Sequence, residues 1–189
     1  MAIFEKYHPL LSEHYTLDWL TAAKLKDVYA LRADVTQAQQ SGREVDASIT
    51  DTAHYVNRSM RLVMSNQALL YGIVERGSER FVGSVCLWQF DQARTQAQLR
   101  LETAPGVAAD AVIQEILPRV IGFAFFELGL TSIHIVVPET ATTLLKWLEA
   151  NHFTKRPYAH QRTIGEQKVA LLDLALSVET VADDPRYRF

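Results

Sequence analysis

One junction carries the residue types and spacing best suited to chemistry. Ala97-Gln98-Leu99-Arg100-Leu101-Glu102-Thr103 reads as an apolar strand, stops at Ala104-Pro105, and passes through Gly106-Val107-Ala108-Ala109-Asp110-Ala111 into a long apolar helix. A strand ending at a small-residue loop that opens a helix is an anion site in outline. Free N–H groups and the positive end of the helix dipole both point at the loop. Asp110 opposes an anion there by repulsion. Other reactive residue types stand alone. Cys86, in Val85-Cys86-Leu87-Trp88, reads as a small core hydrophobe. His134, in an apolar strand, reads as a hydrogen-bonded core histidine. Ser84 has no nucleophile-elbow context. The 6 histidines show no ligand spacing with Cys or carboxylates, so no metal is expected. Trp19, Trp88 and Trp147 read as packing residues.

The elements that must position this junction follow from periodicity. Tyr15 to Leu20 alternates as a first strand, and Ala22 to Arg32 has helical spacing at Leu25, Val28, Tyr29 and Arg32. Thr36 to Ser48 is polar and reads as a mobile connection. Thr50 or Asp51 can cap the next helix, which runs to about Asn66. Ala68 to Glu75 and Phe81 to Phe90 are β-rich and flank Arg76-Gly77-Ser78-Glu79, a hairpin signal. After the junction come a helix ending near Leu130, a strand Ser132 to Pro138 and a helix Ala141 to Ala150. Two strands follow, Tyr158 to Thr163 and Val169 to Leu176. Pro118 breaks the helical pattern, so either that helix bends near Gln114 or a new one starts at Pro118. The polar tail, residues 179–189, reads as loosely held. Mixed strands with helices on both faces imply an α/β (α+β) fold built on a single mixed, mostly antiparallel sheet.

The bulk numbers bound the partners. The 189 residues suit one domain, 1–189, with a core of about 15–176. Hydrophobic residues make up 48%, and the net charge of −3 is spread along the chain, which is not a nucleic-acid footprint. Met1 to Lys6 shows no signal-peptide run, no segment reads as a membrane span, and one cysteine excludes an internal disulfide. Cytoplasm is the expected address, and monomer or homodimer the expected state.

The order of elements, with Gly83, Ala104-Pro105, Ala124-Phe125-Phe126-Glu127-Leu128-Gly129-Leu130 and Leu145 to Phe153, resembles the Gcn5-related N-acetyltransferase (GNAT) family. It is most similar to the branch that acetylates ribosomal-protein N-termini. The resemblance runs from about Tyr15 to Leu176. It implies acetyl-CoA as co-substrate, with pantetheine along Leu101, Thr103 and Ala104 and pyrophosphate at Gly106, Val107, Ala108, Ala109, Asp110 and Ala111. The family's loop reads Arg/Gln-x-x-Gly-x-Gly/Ala. Here its first glycine becomes Ala109, its second Ala111, and its leading basic or amide residue Gly106. The family's acidic strand residue falls at Gln98, its Asn and Ser fall at Ala141 and Leu144, the glycine before Phe153 is His152, and Leu148 stands where many relatives keep a tyrosine as general acid.

Acetyl transfer to an amine needs a deprotonated amine, N–H donors for the oxyanion and a proton for the leaving thiolate. Glu102 is the candidate base; its plainer reading is a solvated strand carboxylate. Tyr158 is the candidate acid, with His160 beside it; the plainer reading is an exposed pair on the sheet rim. The expectation is an N-acetyltransferase moving acetyl from acetyl-CoA to a primary amine. The alternative is a non-catalytic GNAT-fold binding module with an eroded coenzyme A site. Net acidity weakly favours a basic or amine-bearing acceptor.

Overall fold

The computed structural model describes residues 3–189, the side chain of Ala159 excepted. In chain order the elements are β1 (Leu10–Leu11), β2 (Tyr15–Trp19), α1 (Leu25–Arg32), α2 (Val35–Ser41), α3 (Ile49–Met64), β3 (Leu69–Glu75), β4 (Phe81–Trp88) and β5 (Gln96–Thr103). Then follow α4 (Ala109–Phe126), β6 (Ser132–Pro138), α5 (Thr142–Ala150), β7 (Thr154–Ile164), β8 (Gln167–Ser177) and α6 (Val178–Val181). The strands form one sheet in the order β1-β2-β3-β4-β5-β6-β8-β7. Every neighbouring pair is antiparallel except β5 and β6. No helix among the described residues is long and apolar enough to cross a membrane.

The alternation along β5 sets two unlike faces. Ala97, Leu99 and Leu101 enter the main core with α4, whose Ile113, Ile116, Leu117, Val120 and Ile121 are buried against Leu69, Val85, Leu87, Ile133 and Ile135. Gln98, Arg100 and Glu102 point the other way, toward the side covered by α1, α2 and α3. Those three helices pack on one another and on β3 to β6.

Three sequence expectations need correction. The segment after Thr36 is not a mobile connection: α2 occupies it. Asp34 caps α2 by accepting from the Gln37 N–H, and Gly42 ends it in the left-handed conformation. Its one fully buried residue, Ala38, packs on Ile164, Val169 and Leu171 of the β7–β8 hairpin. A polar helix whose anchor lies more than a hundred residues away leaves no periodic signal of its own. The next helix is capped by Ser48, not Thr50 or Asp51; the Ser48 hydroxyl accepts from the Asp51 N–H.

The tail is likewise docked rather than loose. Val181 and Tyr187 are each 1% exposed. The Tyr187 backbone lies directly on α4 at Gly122, where a β-carbon would sit 2.1 Å from the Tyr187 carbonyl oxygen. Arg186 donates to Asn151 Oδ1 at 2.8 Å. As for Pro118, α4 runs through it without a restart. The Gln114 carbonyl loses its helical donor there, but Gln114 is exposed, so water can take that place.

Candidate functional site: the wedge between β5 and β6

The parallel strands part early. They pair only at Gln96 with Ser132, Ala97 with Ile133 and Gln98 with His134. Beyond that, β5 continues with β4 as far as Thr103, while β6 continues with β8 as far as Pro138. Each strand thus holds its outer partner and releases its inner one. The wedge between Leu99–Thr103 and Ile135–Pro138 presents unpaired backbone N–H and C=O groups, which an extended ligand can satisfy as an added strand would. A cleft of about 160 Å³ lies at the mouth. It is lined by Leu101, Glu102 and Thr103 of β5, Ala109 and Ile113 of α4, the 140–144 segment that opens α5, and Gln37, Gln40 and Ser41 of α2.

The loop after β5 is a tight turn. Val107 N–H donates to the Ala104 carbonyl at 3.1 Å. Pro105 and Gly106 occupy its middle positions, and Gly106 has φ +77°, the combination a type II turn requires. This explains why glycine stands at 106 rather than a basic residue. The helix that follows has Ala108 as N-cap and α5 has Ala141, and neither side chain caps its helix. By contrast α2 and α3 both carry a capping side chain. The two helices whose first turns border the cleft therefore keep N–H groups without a side-chain acceptor, which favours an anion. Of the nine residues expected at a cofactor, Leu101, Thr103 and Ala109 line the cleft. Ala104 is buried at the turn, while Gly106, Ala108, Asp110 and Ala111 are exposed beside it and Val107 is half-buried.

Glu102 also lines the cleft, but it is not a solvated carboxylate. Glu102 and Arg43 have side chains 4% and 5% exposed and meet at 2.5 Å, Arg43 Nε donating to Glu102 Oε1. The same guanidinium donates to the carbonyls of Leu31, Arg32 and Glu44, each at 2.9 Å. Arg43 thus ties the end of α1 to β5 beside the wedge. Beside it, Arg32 grips Asp46 through two hydrogen bonds of 2.6 and 2.8 Å. Burial alone would raise the Asp46 pKa, but hydrogen bonds from Arg32 and Thr52 outweigh it and hold the carboxyl below its ordinary range. Sequence reasoning missed Arg43, whose partner lies 59 residues away. No local pattern marks it.

Tyr158 does not reach this site. It lies on β7, at the irregularity between Arg156 and His160, and is 41% exposed. Strand β8 stands between β7 and β6, so the whole width of β8 separates Tyr158 from the wedge. Its ring faces that of His160 at 5.8 Å. His134 is hydrogen-bonded, but within a polar cluster rather than the core. Arg156 donates to its Nδ1 at 2.5 Å, and Gln96 Oε1 lies 3.2 Å from its Nε2. Cys86 is half-buried and burial pushes its thiol pKa up, as suits an unreactive thiol. Among the described residues no three His, Cys, Asp or Glu side chains gather as a metal site.

No family model matches the chain, and no curated protein matches it in sequence. Solved structures do match. The spermidine N-acetyltransferase of Vibrio cholerae, in complex with CoA and spermine, is 14% identical and superposes with a TM-score of 0.79 over 90% of this chain and 99% of its own. A Vibrio cholerae protein assigned as a ribosomal-protein-serine acetyltransferase is 17% identical, with a TM-score of 0.70 over 89% of this chain and 97% of its own. A GNAT-family acetyltransferase of Bacillus anthracis is 15% identical, with a TM-score of 0.72 over 90% and 99%. The chain has the GNAT acyltransferase fold, with its mixed, mostly antiparallel sheet and helices on both faces.

Proposed function

We propose that the chain is an N-acetyltransferase that takes acetyl from acetyl-CoA and passes it to a primary amine. The observation carrying this reading is the wedge. Two strands part beyond Gln98 and His134, and the uncapped first turns of α4 and α5 border the same cleft. In this reading the pantetheine arm takes the free backbone groups of Leu101 and Thr103. Its pyrophosphate takes the N–H groups at the start of α4, near Ala109 and Ala111. Backbone donors of the opened β5 edge stabilise the tetrahedral oxyanion, and the amine attacks directly. Glu102 is held by Arg43, so it serves to shape the cleft. As the tetrahedral intermediate collapses the C–S bond breaks, the amine gives up its proton to solvent and the leaving CoA thiolate takes one from solvent. Structural neighbours that acetylate spermidine support an amine acceptor.

The test is calorimetry with acetyl-CoA, followed by mass spectrometry of a pool of amines and peptides. Binding at micromolar to millimolar concentration and an acetylated product are expected. No heat and no thermal shift at millimolar acetyl-CoA would sink the proposal.

A second reading, a non-catalytic module that keeps the GNAT fold, is favoured by one specific observation. Alanine occupies the first glycine position of the loop, 109, and α2 contributes three residues to a cleft of only about 160 Å³, below the usual range for small-molecule sites. Ala109→Gly, which leaves the Pro105-Gly106 turn intact, separates the two. A gain in coenzyme A affinity of tenfold or more marks an eroded parent site, whereas little gain marks an intact one.

A further inference from the structure

A second pocket, of about 180 Å³, lies on the α1–α3 side of the sheet, between α3 and strands β3 to β5. Tyr55, Arg58 and Leu62 of α3 form one wall; Cys86 and Trp88 of β4 and Arg100 of β5 form the other. It shares no lining residue with the wedge cleft. Most of its wall is apolar, yet it holds donors without acceptors. The Trp88 indole Nε1 is buried and makes no hydrogen bond. Arg100 packs over the Trp88 ring, 5.0 Å from its centroid. Among the described residues its guanidinium makes no hydrogen bond or ion pair.

Glu102 favours the Arg100 charge through space, yet among the described residues no carboxylate makes a direct ion pair with it. Glu102, two residues along the same face, is bound by Arg43, and Asp46 is bound by Arg32. The Cys86 thiol, its pKa raised by burial, stays uncharged. Arg58 adds a second positive charge at the rim. A buried donor without a partner costs free energy, and a guanidinium fork matches a planar carboxylate.

We propose that this pocket binds a small monocarboxylate with an apolar body, the carboxylate on Arg100 and the body against Tyr55 and Leu62. The apolar wall favours a single negative charge over a phosphate, whose second charge costs more to desolvate. The pocket's positive charge also disfavours an amine there, the reverse of what the net charge of the whole chain suggests. The inference stands apart from coenzyme A binding, because the two sites are lined by different residues.

The test titrates the full chain with benzoate and isovalerate, their amides, benzylamine and inorganic phosphate, reading tryptophan fluorescence and thermal shift. The carboxylates are expected to change both signals and to bind at least about tenfold tighter than the amides. Arg100→Gln is expected to remove that preference and Arg100→Lys to keep part of it. Leu62→Trp, which fills the pocket and leaves Arg100 in place, is expected to lose carboxylate binding and serves if Arg100→Gln does not fold. The proposal is overturned by any of four results: amides, benzylamine or phosphate binding as well as the carboxylates; Arg100→Gln binding like the parent; Leu62→Trp keeping the carboxylate; or no carboxylate response at millimolar concentration.

Discussion

The two faces of the sheet are held by different physics. On the α4 side the core is apolar and close-packed, and even the tail closes on it through a glycine with no room for a methyl group. On the α1–α3 side the space beside β5 is held by ion pairs, Arg43 with Glu102 and Arg32 with Asp46, and by a small pocket around Arg100. Adjacent residues of one strand, Leu101 and Glu102, belong to the two regimes. The difference teaches that the apolar face sets where the strands lie. The polar face sets what the wedge and its neighbourhood can bind.

Breaking the polar face at Arg43 is expected to have the largest effect. Arg43→Met leaves Glu102 buried without a partner and frees three backbone carbonyls, so it should cost about 3–5 kcal/mol in urea unfolding. Replacing Glu102 by Met as well should recover much of that loss, since an apolar pair of similar volume avoids the unpaired charge. A single substitution that costs under about 1 kcal/mol would place the pair with ordinary surface ion pairs. The apolar face is broken at Gly122. Gly122→Ala drives a β-carbon into the Tyr187 carbonyl and should cost about 1–3 kcal/mol. Trypsin cleavage after Arg186 and Arg188 should accelerate in the same variant as the tail lifts. A melting temperature and cleavage rate equal to the parent's would contradict a docked tail.

These two sites also separate what is legible in the sequence from what is not. The strand from Ala97 to Thr103, its end at Ala104-Pro105 and the small-residue loop that opens α4 were legible, because these signals are local. The strand Ser132 to Pro138 and the hairpin at Arg76 to Glu79 were legible for the same reason. What stayed hidden depends on partners far along the chain. Ala38 becomes an anchor only where Ile164 and Leu171 meet it, Tyr187 only where Gly122 lets it in, and Arg43 only where Glu102 is desolvated. Tyr158 shared a strand pattern with the sheet, but strand order placed it on the far edge, and no periodicity reports strand order.

A gentler change sharpens the comparison at α2, the helix that covers the wedge from the polar side. Asp34 accepts from Gln37 N–H at 2.8 Å, so Asp34→Ala should cost about 1 kcal/mol of helix stability. Amide exchange in residues 35–41 should quicken while exchange in α4 stays as in the parent. Equal quickening in both helices would mean that the faces are not separable.

The smallest expected effect is the polar face's share of the pH dependence. In the folded chain Asp46 holds its carboxyl below the ordinary range: burial opposes this, but hydrogen bonds from Arg32 and Thr52 prevail. The unfolded chain then takes up the proton first as the solution is acidified. Stability from this group is therefore complete above the ordinary carboxylate pKa, about 4, and drains away as pH falls through the lower folded value. Glu115 is depressed as well, through the His14 N–H, Ser12 and the His14 ring, against the opposing effect of burial. The parent's acid limb thus has more than one source. Asp46→Asn should lower the melting temperature at neutral pH yet shallow its fall between about pH 5 and pH 3, by less than the cap's about 1 kcal/mol. An acid limb as steep as the parent's would show that the Arg32–Asp46 pair adds nothing to the proton balance. The contrast between the faces would then rest on Arg43 and Glu102 alone.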